Sequence, residues 1–113
     1  MTTNFQNIIG TQLGQKALTT SYATLYTVPA NYRTYIKQFD ICNTTSGTIN
    51  VYVSFVPVGG TADTSNAILY NAVIPPYSTL QWCGAQILNA SGTIQAKASA
   101  AGCTMTLTGG EAQ

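Results

Sequence analysis

The sequence predicts an all-β protein: an antiparallel β-sandwich of about seven or eight strands, of jelly-roll or immunoglobulin-like type. Three observations carry this. From residue 16 onward, apolar residues recur with period two rather than 3.6, in runs rich in Val, Ile, Thr and Tyr. Clusters of Gly, Pro and Asn separate these runs at the spacing of successive strands. At 113 residues the chain has the size of one domain with one core.

The elements follow in order. Residues 1–15 (MTTNFQNIIGTQLGQ) carry no charge and scatter Phe5, Ile8, Ile9 and Leu13 among Asn, Thr and Gln. The spacing of Phe5, Ile8 and Ile9 suits one amphipathic turn, too short to stand as a helix alone. The segment therefore reads as an extended N-terminal arm reaching at most about 50 Å. Its four apolar side chains would order in grooves of a neighbour, so deleting residues 2–13 should abolish attachment and leave the sandwich folded.

The sandwich is assigned to residues 16–109. Its first run, 20–28, stops at the Pro29-Ala-Asn turn. The next, 33–42, places Tyr35, Phe39 and Ile41 on one face, and Asn43-Thr-Thr-Ser-Gly forms a loop. Residues 48–56 set Ile49, Val51, Val53 and Phe55 against Asn50, Tyr52 and Ser54. Residues 67–74 alternate again until Pro75-Pro76. Residues 77–84 put Leu80 and Trp82 opposite Thr79 and Gln81. After the Asn89-Ala-Ser-Gly turn, Ile94, Ala96 and Ala98 share a face, as do Cys103, Met105 and Leu107 in the last run. Residues 110–113 read as a flexible tail.

Composition then removes most chemistry. Only 6% of the residues are charged, where soluble domains average roughly a quarter. Four Lys/Arg make no basic field for nucleic acid and no polybasic face for lipid. No run approaches the roughly 20 apolar residues of a spanning helix. The N-terminus lacks the charged and apolar regions of a secretory leader. With no His, a Ser/His/Asp or Cys/His constellation cannot be built. Asp40, Asp63 and Glu111 lie too far apart in sequence to suggest a catalytic pair. The loop Val58-Gly-Gly-Thr-Ala-Asp-Thr-Ser-Asn offers oxygen ligands but one carboxylate, so it reads as a turn, not a calcium site. No catalytic, cofactor-binding or metal-ligating residue is assigned. A net charge of +1 on so neutral a surface favours association.

Three residue classes remain. Cys42, Cys83 and Cys103 are odd in number and widely spaced, with no Cys-x-x-Cys, so they read as buried free thiols. A Cys42–Cys103 disulfide stays open at this point. Trp82 shares a face with Leu80 and reads as core. Tyr32 and Tyr77 sit beside Pro-containing turns, where exposure suits a protein interface. Together with Phe5, Ile8, Ile9 and Leu13 they form the candidate interface set. Sugar binding through Tyr32, Tyr77 or Trp82 is the competing use of the aromatics.

Several segments carry a resemblance: Ala17-Leu-Thr-Thr-Ser-Tyr-Ala-Thr-Leu-Tyr-Thr-Val-Pro-Ala-Asn, Ile41-Cys-Asn-Thr-Thr, Val56-Pro-Val-Gly-Gly-Thr and Leu88-Asn-Ala-Ser-Gly-Thr-Ile-Gln-Ala. As a set, spanning most of residues 17–108, they resemble small virion proteins of tailed bacteriophages. The resemblance implies a non-enzymatic β-sandwich of the particle and does not supply its place there; the expected location is the capsid surface, after synthesis in the host bacterial cytoplasm. A capsid decoration or cement protein is the leading expectation. Its partner would be the major capsid protein, and a homo-oligomer, with a trimer favoured, suits local threefold positions of a shell. A tail, neck or fibre component, with or without glycan recognition, is the alternative.

Overall fold

The computed structural model of the protein describes residues 10–112. Eight strands run in chain order: β1 (Thr11–Ala17), β2 (Ala23–Thr27), β3 (Arg33–Asn43), β4 (Ile49–Val56), β5 (Ala67–Ile74), β6 (Thr79–Leu88), β7 (Thr93–Ala98) and β8 (Cys103–Ala112). They form two four-stranded antiparallel sheets, β1-β8-β3-β6 (sheet A) and β2-β7-β4-β5 (sheet B). Only the β4–β5 connection stays within a sheet; every other one crosses between them. That wiring is the jelly roll and sets aside the immunoglobulin-like alternative.

The inner faces are those expected of period two. Ile94, Ala96 and Ala98 of β7 and Cys103, Met105 and Leu107 of β8 are buried. They meet Ile49, Val51 and Val53 of β4 and Phe39 and Ile41 of β3. Phe39 stacks on Trp82 at 5.1 Å, and Phe55 meets both rings edge-on, an arrangement that adds to simple burial. Trp82 is thus an inward residue of an edge strand, packed against the core.

Alternation breaks where the register shifts. Both partners of β3 slip between Ile36 and Gln38. The extra residue reverses the facing of everything before it, so Thr34 and Ile36 point inward and Tyr35 does not. Tyr35 therefore does not share a face with Phe39 and Ile41. In β5 the pairs Val51–Ala72 and Val53–Leu69 leave both Tyr70 and Asn71 opposite Tyr52, and Asn71 takes a left-handed φ of 55°.

The boundaries drawn from sequence also move. Residues 11–15, assigned to the arm, belong to β1, which pairs with β8 from Thr11–Gly109 to Ala17–Thr104. Their backbone donors and acceptors are engaged in a ladder, so a deletion reaching residue 13 would strip an edge strand. Residues 110–112, assigned to a flexible tail, complete β8 against Arg33–Tyr35. Gly109 is required there. A Cβ on it would collide with the Tyr35 carbonyl oxygen, so the close approach of β3 and β8 depends on its absence.

Candidate docking surface

One lateral side of the sandwich is built from β5 and β6, the outermost strands of the two sheets. Their sequences, AILYNAVI and TLQWCGAQIL, hold no charged residue and no proline. Their inner side chains, Ile68, Leu69, Leu80 and Trp82, pack on the core. Their outer side chains include Tyr70, Val73 and Ile87, each more than half exposed. The loop joining the strands adds Tyr77, 73% exposed, so four of the five exposed large hydrophobics among the described residues lie on this side. Edge strands of eight and ten residues without charge or proline present open backbone groups to any strand that approaches. The opposite side, formed by β1 and β2, is shorter and carries Lys16.

A buried amide positions the Tyr77 loop. Asn43, fully enclosed at the end of β3, donates through Nδ2 to the carbonyls of Gly47 (2.8 Å), Ile74 (3.1 Å) and Pro75 (3.2 Å). Its Oδ1 accepts from the Thr45 N–H (2.9 Å) and hydroxyl (2.7 Å). Its backbone N–H donates to the Ser78 carbonyl, and the Tyr77 N–H donates to the Thr45 carbonyl at 3.2 Å. Held from both sides, Tyr77 adopts φ 55°, a left-handed conformation that is an outlier for a bulky residue. That conformation costs on the order of 1–2 kcal/mol, and the Asn43 and Thr45 hydrogen bonds hold it, leaving the ring exposed at the loop tip.

The other residues of the sequence-derived interface set lie elsewhere. Leu13 sits half-buried in β1 and packs against the core, so it is committed to its own sandwich. Tyr32 is half-buried and also packs on the core, not at a free tip, because the 29–32 turn folds back through its N–H to the Pro29 carbonyl. It lies just before β3 and Tyr77 lies beyond that strand's far end, about 35 Å away for eleven extended residues. Phe5, Ile8 and Ile9 lie outside the described residues. The structure does not gather the set into one site. The sequence pattern places Asn43 in a loop and gives no mark to Val73 or Ile87. The signal available for them was an uncharged pair of strands flanking Pro75-Pro76.

The carboxylates are dispersed and occupied. Asp40 accepts from the Gln38 amide. Asp63 accepts from Ser65, which holds its carboxyl below the usual range, and this closes the loop as a turn. Glu111 accepts from the Tyr26 hydroxyl, which also contacts Thr34 Oγ1 at 2.7 Å. Among the described residues no group of three His, Cys, Asp or Glu is placed to hold a metal ion. Nor is there a helix long and apolar enough to cross a membrane.

All three cysteines are free, but only Cys103 is buried; Cys42 is half-buried and Cys83 is exposed on edge strand β6. Burial pushes the Cys103 thiol up. Cys103 pairs with Asn43 and faces the core, whereas Cys42 pairs with Thr104 on the outer face, so the two thiols point to opposite sides of sheet A.

No protein-family model matches this chain, and no curated protein matches it in sequence. Solved structures do. One comes from the Bacillus endospore appendages, described as a novel family of disulfide-linked pili: 15% identity, TM-score 0.56, covering 92% of this chain and 86% of that one. Another is from the infectious bursal disease virus Gx strain: 9% identity, TM-score 0.56, covering 94% of this chain. This chain spans only 32% of that viral protein. The likeness is one of fold, and it defines an all-β sandwich class found in a pilus subunit and in a virus particle.

Proposed function

We propose that this chain is a non-enzymatic structural subunit of a virus particle, a decoration or cement protein that binds the outer capsid shell and bridges neighbouring major capsid subunits. The observation that carries the reading is the open β5/β6 side: long, uncharged and without a further strand partner among the described residues, with Val73, Tyr77 and Ile87 exposed on it. A surface of that kind is a liability unless a partner covers it. The virion resemblance of residues 17–108 and the shared fold of a viral structure support the same reading. In this role the rigid jelly roll presents one sticky side, and repetition over a symmetric shell, as a trimer at threefold positions, multiplies a modest contact.

The test is the copy number of this polypeptide in purified particles, by quantitative peptide mass spectrometry against the shell protein. A ratio commensurate with the shell subunit supports decoration. A handful of copies moves it to the tail or neck, and absence overturns the reading. Ile87→Lys, which places a charge on the open side, should lower occupancy while leaving the melting temperature unchanged. Truncation of residues 2–9, which spares β1, tests the arm separately.

A second reading rests on the endospore appendage structure, of whose chain this one covers 86%. In it the subunit polymerises with itself, its β5/β6 side meeting the β1/β2 side of the next copy. Such a head-to-tail contact need not close and so gives a fibre. Filaments formed by the purified chain alone would favour it; a discrete oligomer would favour decoration.

A further inference from the structure

Beyond assembly, we infer that the outer face of sheet B is a binding site for a carboxylated glycan, centred on Tyr70, Tyr52 and Lys97. The site is a row that crosses all four strands of the sheet. Tyr22 stands just before β2, Lys97 on β7, Tyr52 on β4, and Tyr70 with Asn71 on β5. Lys97 Nζ lies 4.7 Å from the ring centroids of both Tyr22 and Tyr52. Tyr52 meets Tyr70 edge-on at 5.1 Å. Tyr70 is 59% exposed and presents the largest free ring of the row.

The irregularity of β5 builds this site. The bulge sets two residues, Tyr70 and Asn71, opposite Tyr52 where a regular ladder would set one. Asn71 takes φ 55° in mid-strand, and this strained conformation turns its amide onto the row. Its Oδ1 accepts from Asn50 Nδ2 at 2.7 Å and from the Tyr52 hydroxyl at 3.0 Å. These bonds leave the Asn71 Nδ2 donors and the Asn50 Oδ1 acceptor without a side-chain partner among the described residues. An exposed ring flanked by a free amide donor and a free amide acceptor is what a sugar requires. Its C–H face stacks on the ring while its hydroxyls bond the amides.

Charge chooses the sugar class. Lys97 has no anionic neighbour on this face: Asp40 and Glu111 stand in sheet A, and Asp63 stands in the β4–β5 loop with Ser65. The two tyrosine rings hold the ammonium without neutralising it. A ligand carboxylate beside Tyr52 would meet the one positive charge of the sheet in a fixed position. Asn50, Tyr52 and Lys97 lie on the face, and Tyr70 of β5 stands where that face meets the open β5/β6 side, so a partner docked there would compete with the sugar for its ring.

Affinity electrophoresis of the full chain in native gels tests this, with polygalacturonate, polysialic acid or neutral dextran as the probe. Retardation by at least one acidic polymer, with none by dextran, is the expected result, and the polymer that acts identifies a uronic or a sialic carboxylate. Tyr70→Ala, on an exposed ring, should weaken retardation by about two- to tenfold, as loss of a stacked ring predicts. Lys97→Met, which keeps an apolar stem, should remove the effect of the acidic polymer. Unchanged far-ultraviolet circular dichroism of both variants would confirm that they fold. No retardation of the wild type by either acidic polymer overturns the inference. Equal retardation by dextran, or variants that bind like the wild type, overturns it too. None of these outcomes bears on copy number in particles, so the structural role and the glycan site fail separately.

Discussion

The two ends of the sandwich are tied by different chemistry. At one end, the β3–β4, β5–β6 and β7–β8 loops converge on Asn43, with Thr44 N–H bonded to the Gly102 carbonyl and Tyr77 N–H to the Thr45 carbonyl. Every group in that knot is neutral. At the other end, the last residues of β8 approach β3 over Gly109, and the Tyr26 hydroxyl reaches from β2 across to Thr34 and Glu111. That tie includes a phenol and a carboxylate. The comparison teaches that one end should ignore pH and fail only by mutation, while the other should yield to alkali.

Asn43→Ala should produce the largest effect. It leaves the carbonyls of Gly47, Ile74 and Pro75 without their donor inside a closed site, a loss of about 3–4 kcal/mol. The same change frees the Tyr77 loop, so under the proposed decoration role occupancy should fall further than the drop in denaturant midpoint alone explains. Gly109→Ala, at the opposite end, forces β8 away from the Tyr35 carbonyl and should cost about 3 kcal/mol. If Gly109→Ala melts like the wild type, the two ends are not the comparable anchors described.

Tyr26→Phe sharpens the contrast. It removes the hydroxyl from Glu111 and Thr34 and should cost about 1 kcal/mol at neutral pH. Desolvation pushes the Tyr26 phenol up, and its hydrogen bond to Glu111 pushes it further, well above the ordinary value of about 10. A raised folded value means that the native state holds the proton more tightly than the unfolded chain. The contribution is whole below about pH 10 and falls as pH rises from there toward the folded value. Denaturant midpoints of wild type and Tyr26→Phe should therefore converge above pH 10. A constant gap would show that the phenol does not couple to folding.

Much of the fold was legible because β7 and the first halves of β4, β6 and β8 keep strict alternation. Ile94, Ala96, Ala98, Cys103, Met105 and Leu107 could be placed by period alone. What failed was local register. The extra residue at Lys37 and the pair Tyr70–Asn71 are set by how neighbouring strands meet, and nothing in the one-dimensional pattern marks them. The glycine pair 109–110 marks the start of a tail at residue 110 because glycine signals freedom in sequence; here Gly109 allows a close strand approach and the strand runs on past it. In the candidate surface, the exposure of Tyr77 was legible, because the double proline before it announced a projecting tip. Tyr32 misled because its turn folds the ring back on the core. Sheet edges are a property of topology, so the β5/β6 side emerged only when the strand order was known.

The smallest effect concerns the centre of sheet B, between the two ends. Ser54, on β4, is fully buried, and its Oγ has no hydrogen-bond partner among the described residues. A buried hydroxyl without a partner gives up its hydration and gains nothing in exchange. Alanine deletes that group and leaves a cavity smaller than a water molecule. Ser54→Ala should therefore be neutral or stabilise by up to about 1 kcal/mol, read as a small rise in denaturant midpoint with an unchanged slope. Destabilisation by a similar amount would mean that the hydroxyl does bond to something, and the neighbouring Gln95 amide, paired with Ser54 across β7, is the group to vary next.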